Sequence, residues 1–128
     1  MLGEPESTIH LRPQIQKALD HAGNVLRIED IYAHVLTGSM QLWLSQSGDA
    51  IMFTEIVCYP QLKAIRATIA AGHLESLLAM TPRIAQWAAG VGCTRAEFIG
   101  RPGWLRAWRG KFRNSAVFGA TPIEELLP

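Results

Sequence analysis

The chain has 128 residues, 48% of them hydrophobic and 18% charged, with a formal net charge of +1. This length holds one core and one domain of ordinary globular composition. A balance so close to neutral excludes the strong electrostatic signature of a dedicated nucleic-acid or membrane-surface protein, and no apolar run reaches the roughly 18–20 residues that span a bilayer.

Residues 1–10 are read as a flexible polar arm, with Gly3, Pro5 and Ser7 near its start. The opening MLGEPESTIHL has neither a basic n-region nor an apolar h-region, so a secretory signal is not expected and synthesis and residence in a cytoplasm are. Residues 11–22 predict a helix with Ile15, Ala18, Leu19 and Ala22 on one side and Gly23 as its stop. Residues 27–36 predict a second, with Ile28, Ile31, Tyr32 and Val35 on one face. Neither is long or strongly charged, so both need the core to hold them.

A meander follows. In residues 40–44, Met40, Leu42 and Leu44 alternate with Gln41 and Trp43, and the run SQSGD is a hairpin turn signal. Residues 50–59 are the strongest strand of the chain. Ile51, Phe53 and Val57 fall on one face and Met52, Ile56 and Cys58 on the other, which predicts a central strand covered on both sides. Pro60-Gln61 turns into a third strand, residues 62–70. Residues 73–89 predict a helix with Leu74, Leu77, Leu78, Thr81, Ile84, Ala85 and Ala88 facing the core. Thr81-Pro82 predicts a bend or restart within it, because Thr caps well and Pro suits a first helical position. Residues 94–100 form a further strand, and Arg101-Pro102-Gly103 turns into a short helix, 104–108. A last strand is expected at 115–120 and a capped turn at 121–126. Strand, helix and strand between residues 62 and 100 predict a βαβ unit with parallel pairing. Cys58 and Cys93 form no CxxC pair and no ligand spacing, and both are expected as buried thiols.

The resulting order is two helices, an antiparallel meander, a βαβ unit, a short helix and a last strand, filling residues 11–128 as a single mixed α/β domain. It resembles the GNAT-type N-acetyltransferase fold over roughly residues 11–120. The run WAAGVGCTRAEFIGRPGWLRAW, residues 87–108, is similar to the helix, strand and following helix of small GNAT-like proteins encoded by phages and prophages. The resemblance implies an acyl-CoA site at the end of the third strand. In catalytic members a loop of the type Q/R-x-x-G-x-G/A holds the CoA pyrophosphate on backbone N–H groups and a helix N-terminus, where an anion is favoured. The matching positions here are Ala70, Ala71, Gly72, His73 and Leu74, followed by Glu75. This segment has one glycine, no Arg or Lys, and a carboxylate that satisfies the positive end of the helix and repels a pyrophosphate. An ordinary capped helix start is the alternative reading.

The family commonly uses a carboxylate on the central strands as base and a Tyr near the last helix as acid. Glu55 is the acidic residue within the second strand, and burial there would suit it as a base. It could equally pair with Arg66 across the hairpin. No Tyr follows Tyr59, so the acid has no matching residue. His10, His21, His34 and His73 show no ligand spacing, so no metal site is expected.

Arg101, Arg106, Arg109, Lys111 and Arg113 lie among Trp104, Trp108 and Phe112 with no intervening acid. Such a run is either a solvated face or a contact surface for protein or nucleic acid. The resemblance and its departures imply a non-catalytic GNAT-fold component of a phage particle. It would carry no cofactor, would act through other particle proteins or self-association, and would be made in a host cytoplasm and kept in the virion. The alternative is a divergent acetyl-CoA-dependent N-acetyltransferase. No membrane partner is expected.

Overall fold

The computed structural model describes residues 5–100, 103–108, 111–116 and 118–128. A 3-10 turn, Glu6–Leu11, runs directly into helix α1 (Arg12–His21), and Pro13 occupies the start of α1, where a missing N–H costs nothing. Helix α2 (Ile28–Leu36) begins after Arg27, whose backbone N–H donates to the Asp30 carboxylate at 2.9 Å. An acid in the first turn both fills an orphan donor and suits the helix dipole.

Residues 5–10 are therefore not a free arm. Thr8, Leu11, Ile15 and Leu19 are all buried and continue one helical stripe outward from α1. The Tyr32 hydroxyl donates to Thr8 Oγ1 at 2.7 Å, and Thr8 Oγ1 donates to the Pro5 carbonyl at 2.8 Å. A buried hydroxyl with both bonds made holds the turn against α2.

Among the described residues four strands form one sheet in the order β1 (Gln41–Leu44), β2 (Ala50–Cys58), β3 (Lys63–Gly72) and β4 (Arg95–Phe98). The first two pairings are antiparallel and β3–β4 is parallel, with α3 (Leu74–Gly90) as the crossover. A short helix, α4 (Gly103–Ala107), follows β4.

Both sheet faces are covered. Ile51, Phe53, Ile69 and Ala71 pack with α1 and α2, while Ala50, Met52 and Ile65 pack with α3 and Trp108. One irregularity assigns these faces. Phe53 pairs with Ile69, but Thr54 pairs with Ala67, so Thr68 is an extra residue in β3. Simple alternation would put Ile65, Ala67, Ile69 and Ala71 together. The bulge sends the last two to the opposite face, where α1 and α2 cover them.

Several expectations are corrected. α3 runs through Pro82 as one helix. Thr81 does not cap a second helix: its hydroxyl donates to the Leu77 carbonyl at 3.2 Å and accepts the Trp108 indole N–H at 3.2 Å. The buried stripe of α3 is Leu77, Met80, Ile84 and Ala88, while Leu74 and Ala85 are exposed. The described residues between 115 and 120 form no strand. Phe118 is 69% exposed, and a run that buries so little does not offset the entropy of ordering it. The chain ends in an exposed 3-10 turn, Ile123–Leu126, preceded by Pro122 with no side-chain cap. Cys58 is exposed at the end of β2 and Cys93 half-buried in the turn between α3 and β4, so neither is a fully buried thiol.

Candidate binding cleft

β4 pairs with β3 only over Ala64–Ala67. Past the bulge, β3 continues to Gly72 without β4 beside it, and a cleft of about 930 Å3 lies at its end. Gln14, Lys17 and His21 of α1 form one wall, Ala70 to Leu74 the floor, and Gly103, Trp104 and Ala107 of α4 the far side. Crevices at the carboxyl ends of sheet strands are the usual place for ligands in α/β folds. The Thr68 hydroxyl at the bulge is buried and has no hydrogen-bond partner among the described residues.

The start of α3 is already supplied with negative charge. Asp49 lies in the β1–β2 turn, and its carboxylate accepts from Ser47 Oγ at 2.6 Å and from Ser45 Oγ at 3.0 Å. Hydrogen bonds from Ser47 and then from Ser76, in the first turn of α3, hold the Asp49 carboxyl down from 3.8 to about 2. The Asp49 carbonyl accepts the His73 N–H at 2.9 Å. With Glu75 in the same first turn, two carboxylates stand where a pyrophosphate would look for donors.

Gly72 has a packing reason for being glycine. Its φ is +103°, and a Cβ there would press into the Asp49 carbonyl and come within 2.7 Å of Ala50 Cα. The residue lets β3 close on the start of β2. A smaller hollow of about 480 Å3, lined by Ser45, Ser47, Ser76 and Arg83 among others, lies beside the same turn.

The five positions matched to a cofactor loop, Ala70, Ala71, Gly72, His73 and Leu74, thus come together with Trp104 in one cleft. Glu55 is not among its lining residues. It pairs with Arg66 across β2–β3, with Oε1 3.6 Å from Nη1. Its side chain is 35% exposed, so it lies on no fully covered face. Arg66 turns its fork to β4 instead: Nε and Nη2 donate to Glu97 Oε1 at 2.9 and 2.7 Å. The Tyr59 hydroxyl donates to the same oxygen at 2.8 Å, and Arg95 donates to Oε2 at 3.0 Å. Burial pushes the Glu97 carboxyl up, but hydrogen bonds from Tyr59, Arg66 and Arg95 outweigh it and leave it below the usual carboxylate range. Burial likewise lowers the Arg66 guanidinium, and its bonds to Glu97 and Tyr59 raise it overall.

Of the basic stretch, Arg101 and Arg109 lie outside the described residues, while Arg106, Lys111 and Arg113 are exposed. The aromatic residues between them are engaged with one another. Trp104 lies 5.1 Å from Trp108 between ring centroids, and Phe112 lies 5.9 Å from Trp108 and 5.0 Å from Phe98. This cluster closes the α3 side of the sheet around Trp108. Among the described residues no group of three His, Cys, Asp or Glu could hold a metal ion, and no helix is long and apolar enough to cross a membrane.

Sequence reasoning missed Lys17, His21, Asp49 and Thr68. Asp49 reads as an ordinary turn former in SQSGD, and the α1 residues carry no local sign of a wall they build only in three dimensions. Thr68 sits in a strand-forming run with nothing to mark a bulge.

No protein-family model matches the chain, and no curated protein matches it. Solved structures do. BH1408 from Bacillus halodurans, determined as a tetramutant, is 12% identical with a TM-score of 0.62, over 91% of this chain and 92% of that one. Wild-type TTHA1254 from Thermus thermophilus is 13% identical with a TM-score of 0.54, over 84% of this chain and 88% of that one. The C-terminal domain of a putative lysylphosphatidylglycerol synthetase from Agrobacterium fabrum is 19% identical with a TM-score of 0.44, over 73% of this chain and 28% of that one. At such identities the first two likenesses establish a shared fold and nothing finer, and that fold is a GNAT-like mixed α/β domain.

Proposed function

We propose that this chain is a non-catalytic GNAT-fold module that acts through protein contacts, with its cleft serving as a contact surface instead of an acyl-CoA cradle. The observation that carries this reading is the pair of carboxylates, Asp49 and Glu75, at the N-terminal end of α3. A pyrophosphate placed there would meet two negative charges. Gly72 supports the same reading, because its backbone freedom is used to close β3 on β2. The setting in a phage particle rests on the likeness of residues 87–108 to small phage-encoded proteins.

The second reading, a divergent acetyl-CoA-dependent N-acetyltransferase, is favoured by one observation. The orphan hydroxyl of Thr68 lies at the bulge where β3 parts from β4, and the strand end beyond it, from Ala70 on, lines a cleft large enough for a cofactor arm. In that reading acetyl-CoA would rest on backbone groups of residues 70–74, and Glu55 would take the amine proton.

Isothermal titration of acetyl-CoA into the purified chain tests both. The non-catalytic reading expects no heat of binding up to millimolar ligand. Binding in the micromolar range overturns it, and the turnover of Glu55→Gln would then decide whether that carboxylate is the base.

A further inference from the structure

Among the described residues the sheet has two edges, and they are built differently. β4 carries Arg95 and Glu97 in the ion network with Arg66, and charged side chains on an edge strand discourage pairing with another chain. β1, at the other edge, has no such protection. No charged side chain and no proline lies between His34 and Asp49. The β1 residues stay half-buried although Leu42 and Leu44 pack on one core and Trp43 on the other.

The register shows which backbone groups are open. The Ser45 N–H donates to the Ala50 carbonyl at 2.9 Å, so these two are a hydrogen-bonded pair of the β1–β2 ladder. Alternation along an antiparallel ladder then makes Trp43 and Gln41 bonded residues and turns the N–H and C=O of Leu42 and Leu44 away from β2. Among the described residues nothing bonds to these outward groups. Met40, the next outward residue, already gives its N–H to the His34 carbonyl at 3.1 Å. The open stretch is therefore Leu42 and Leu44, placed symmetrically about Trp43.

We propose that β1 pairs antiparallel with β1 of a second copy, across a two-fold axis at Trp43. The symmetry of the open groups names this occupant. A second β1 turned about that axis sets its Leu44 against Leu42 and its Leu42 against Leu44, and every outward N–H and C=O of the two residues finds a mate. Trp43 then faces Trp43 as a non-hydrogen-bonded pair, the closer kind, with Cα atoms about 4.5 Å apart and both indoles on the α3 side. Trp87 lies 5.6 Å from Trp43 between ring centroids and is 37% exposed, so each copy brings an aromatic pair to the seam. With no charge along the segment, the surface meets itself without repulsion. The two four-stranded sheets become one sheet that ends on a charged β4 at both sides, so association closes at two copies. None of this depends on what the cleft binds.

The test is sedimentation equilibrium of the full chain from about 1 to about 200 μM, joined to residue-resolved hydrogen exchange over the same range. The wild-type chain should dimerise. The Leu42 and Leu44 amides should exchange at least about tenfold more slowly at the top of the range than at the bottom, while the Trp43 amide, bonded to β2 within each copy, should change far less. Trp87→Glu sets like charges near the seam at an exposed position and should weaken the dimer at least about tenfold. The exchange readout needs no substitution, so it decides even if that variant disturbs α3. A monomer throughout the range overturns the proposal and leaves the edge to an extended strand of another protein. A dimer whose Leu42 and Leu44 amides exchange as freely as in the monomer also overturns it, because such a dimer uses another surface.

Discussion

Arg66 Nη2 lies 2.7 Å from Glu97 Oε1 across the parallel β3–β4 pair, and Arg66 Nε donates to the same oxygen at 2.9 Å. This is the polar joint of the βαβ unit. β4 is four residues long and its pairing with β3 spans only Ala64–Ala67, so backbone hydrogen bonds alone hold it weakly. Glu97→Gln keeps the shape and removes the charge from a side chain that is 19% exposed and serves Tyr59, Arg66 and Arg95 together. Charged hydrogen bonds of this kind are worth about 1.5–3 kcal/mol, so Glu97→Gln should lower stability by about 1–3 kcal/mol in urea unfolding. A change within about 0.5 kcal/mol would mean the network holds nothing that solvent does not, as for ordinary surface pairs.

The same network gives stability a pH dependence. Glu97 and Asp49 both have folded-state values below their ordinary 4.5 and 3.8, Asp49 at about 2. A depressed carboxyl contributes in full above its unfolded value and loses that contribution as pH falls through its folded value. Urea midpoints should therefore be flat from neutral pH to about 5, decline as Glu97 gains its proton below about 4.5, and decline further between about 4 and about 2 through Asp49. Asp49→Asn should abolish the lowest branch and leave the upper one. If that variant keeps the full wild-type profile, the Ser45, Ser47 and Ser76 bonds do not set the Asp49 carboxyl.

Gly72→Ala separates a folding role from a ligand role at the end of β3. The added methyl meets backbone of Asp49 and Ala50 at a φ of +103°. Left-handed strain costs about 1–3 kcal/mol and forced overpacking about 1–3 kcal/mol more, so a loss of about 2–6 kcal/mol is expected by thermal or urea unfolding. Full stability in Gly72→Ala would mean that β2 and β3 do not close as described.

Helical periodicity makes α1, α2 and α3 legible in the sequence, and the turn at Pro60-Gln61 places Glu55 opposite Arg66, which is the pairing the structure has. Local pattern fails where distant groups decide. Met80 replaces Leu74 in the buried stripe of α3 because Leu74 lines the cleft. The run at 115–120 reads as a strand, but apolar content alone cannot say whether a sheet edge is there to receive it. The candidate site is half legible for the same reason. Residues 70–74 are contiguous, whereas Lys17, His21 and Asp49 reach the cleft from elements that no spacing rule connects.

Thr68 offers the last discriminating substitution. Its hydroxyl is buried and unpaired among the described residues, while its backbone forms the bulge that turns Ile69 and Ala71 toward α1 and α2. An unmet buried hydroxyl costs about 1–3 kcal/mol, and replacing it by a methyl of the same shape removes that cost. Thr68→Val should thus raise stability by about 0.5–2 kcal/mol in urea unfolding without altering the fold. Destabilisation would show that the hydroxyl has a partner in solution. The same variant bears on function. Should the wild-type chain bind acetyl-CoA, a drop in affinity in Thr68→Val would assign the orphan hydroxyl to the ligand. If the wild-type chain does not bind it, the gain in stability is the whole effect, and the unmet hydroxyl at the bulge belongs to the packing of β3 between its two layers of helices.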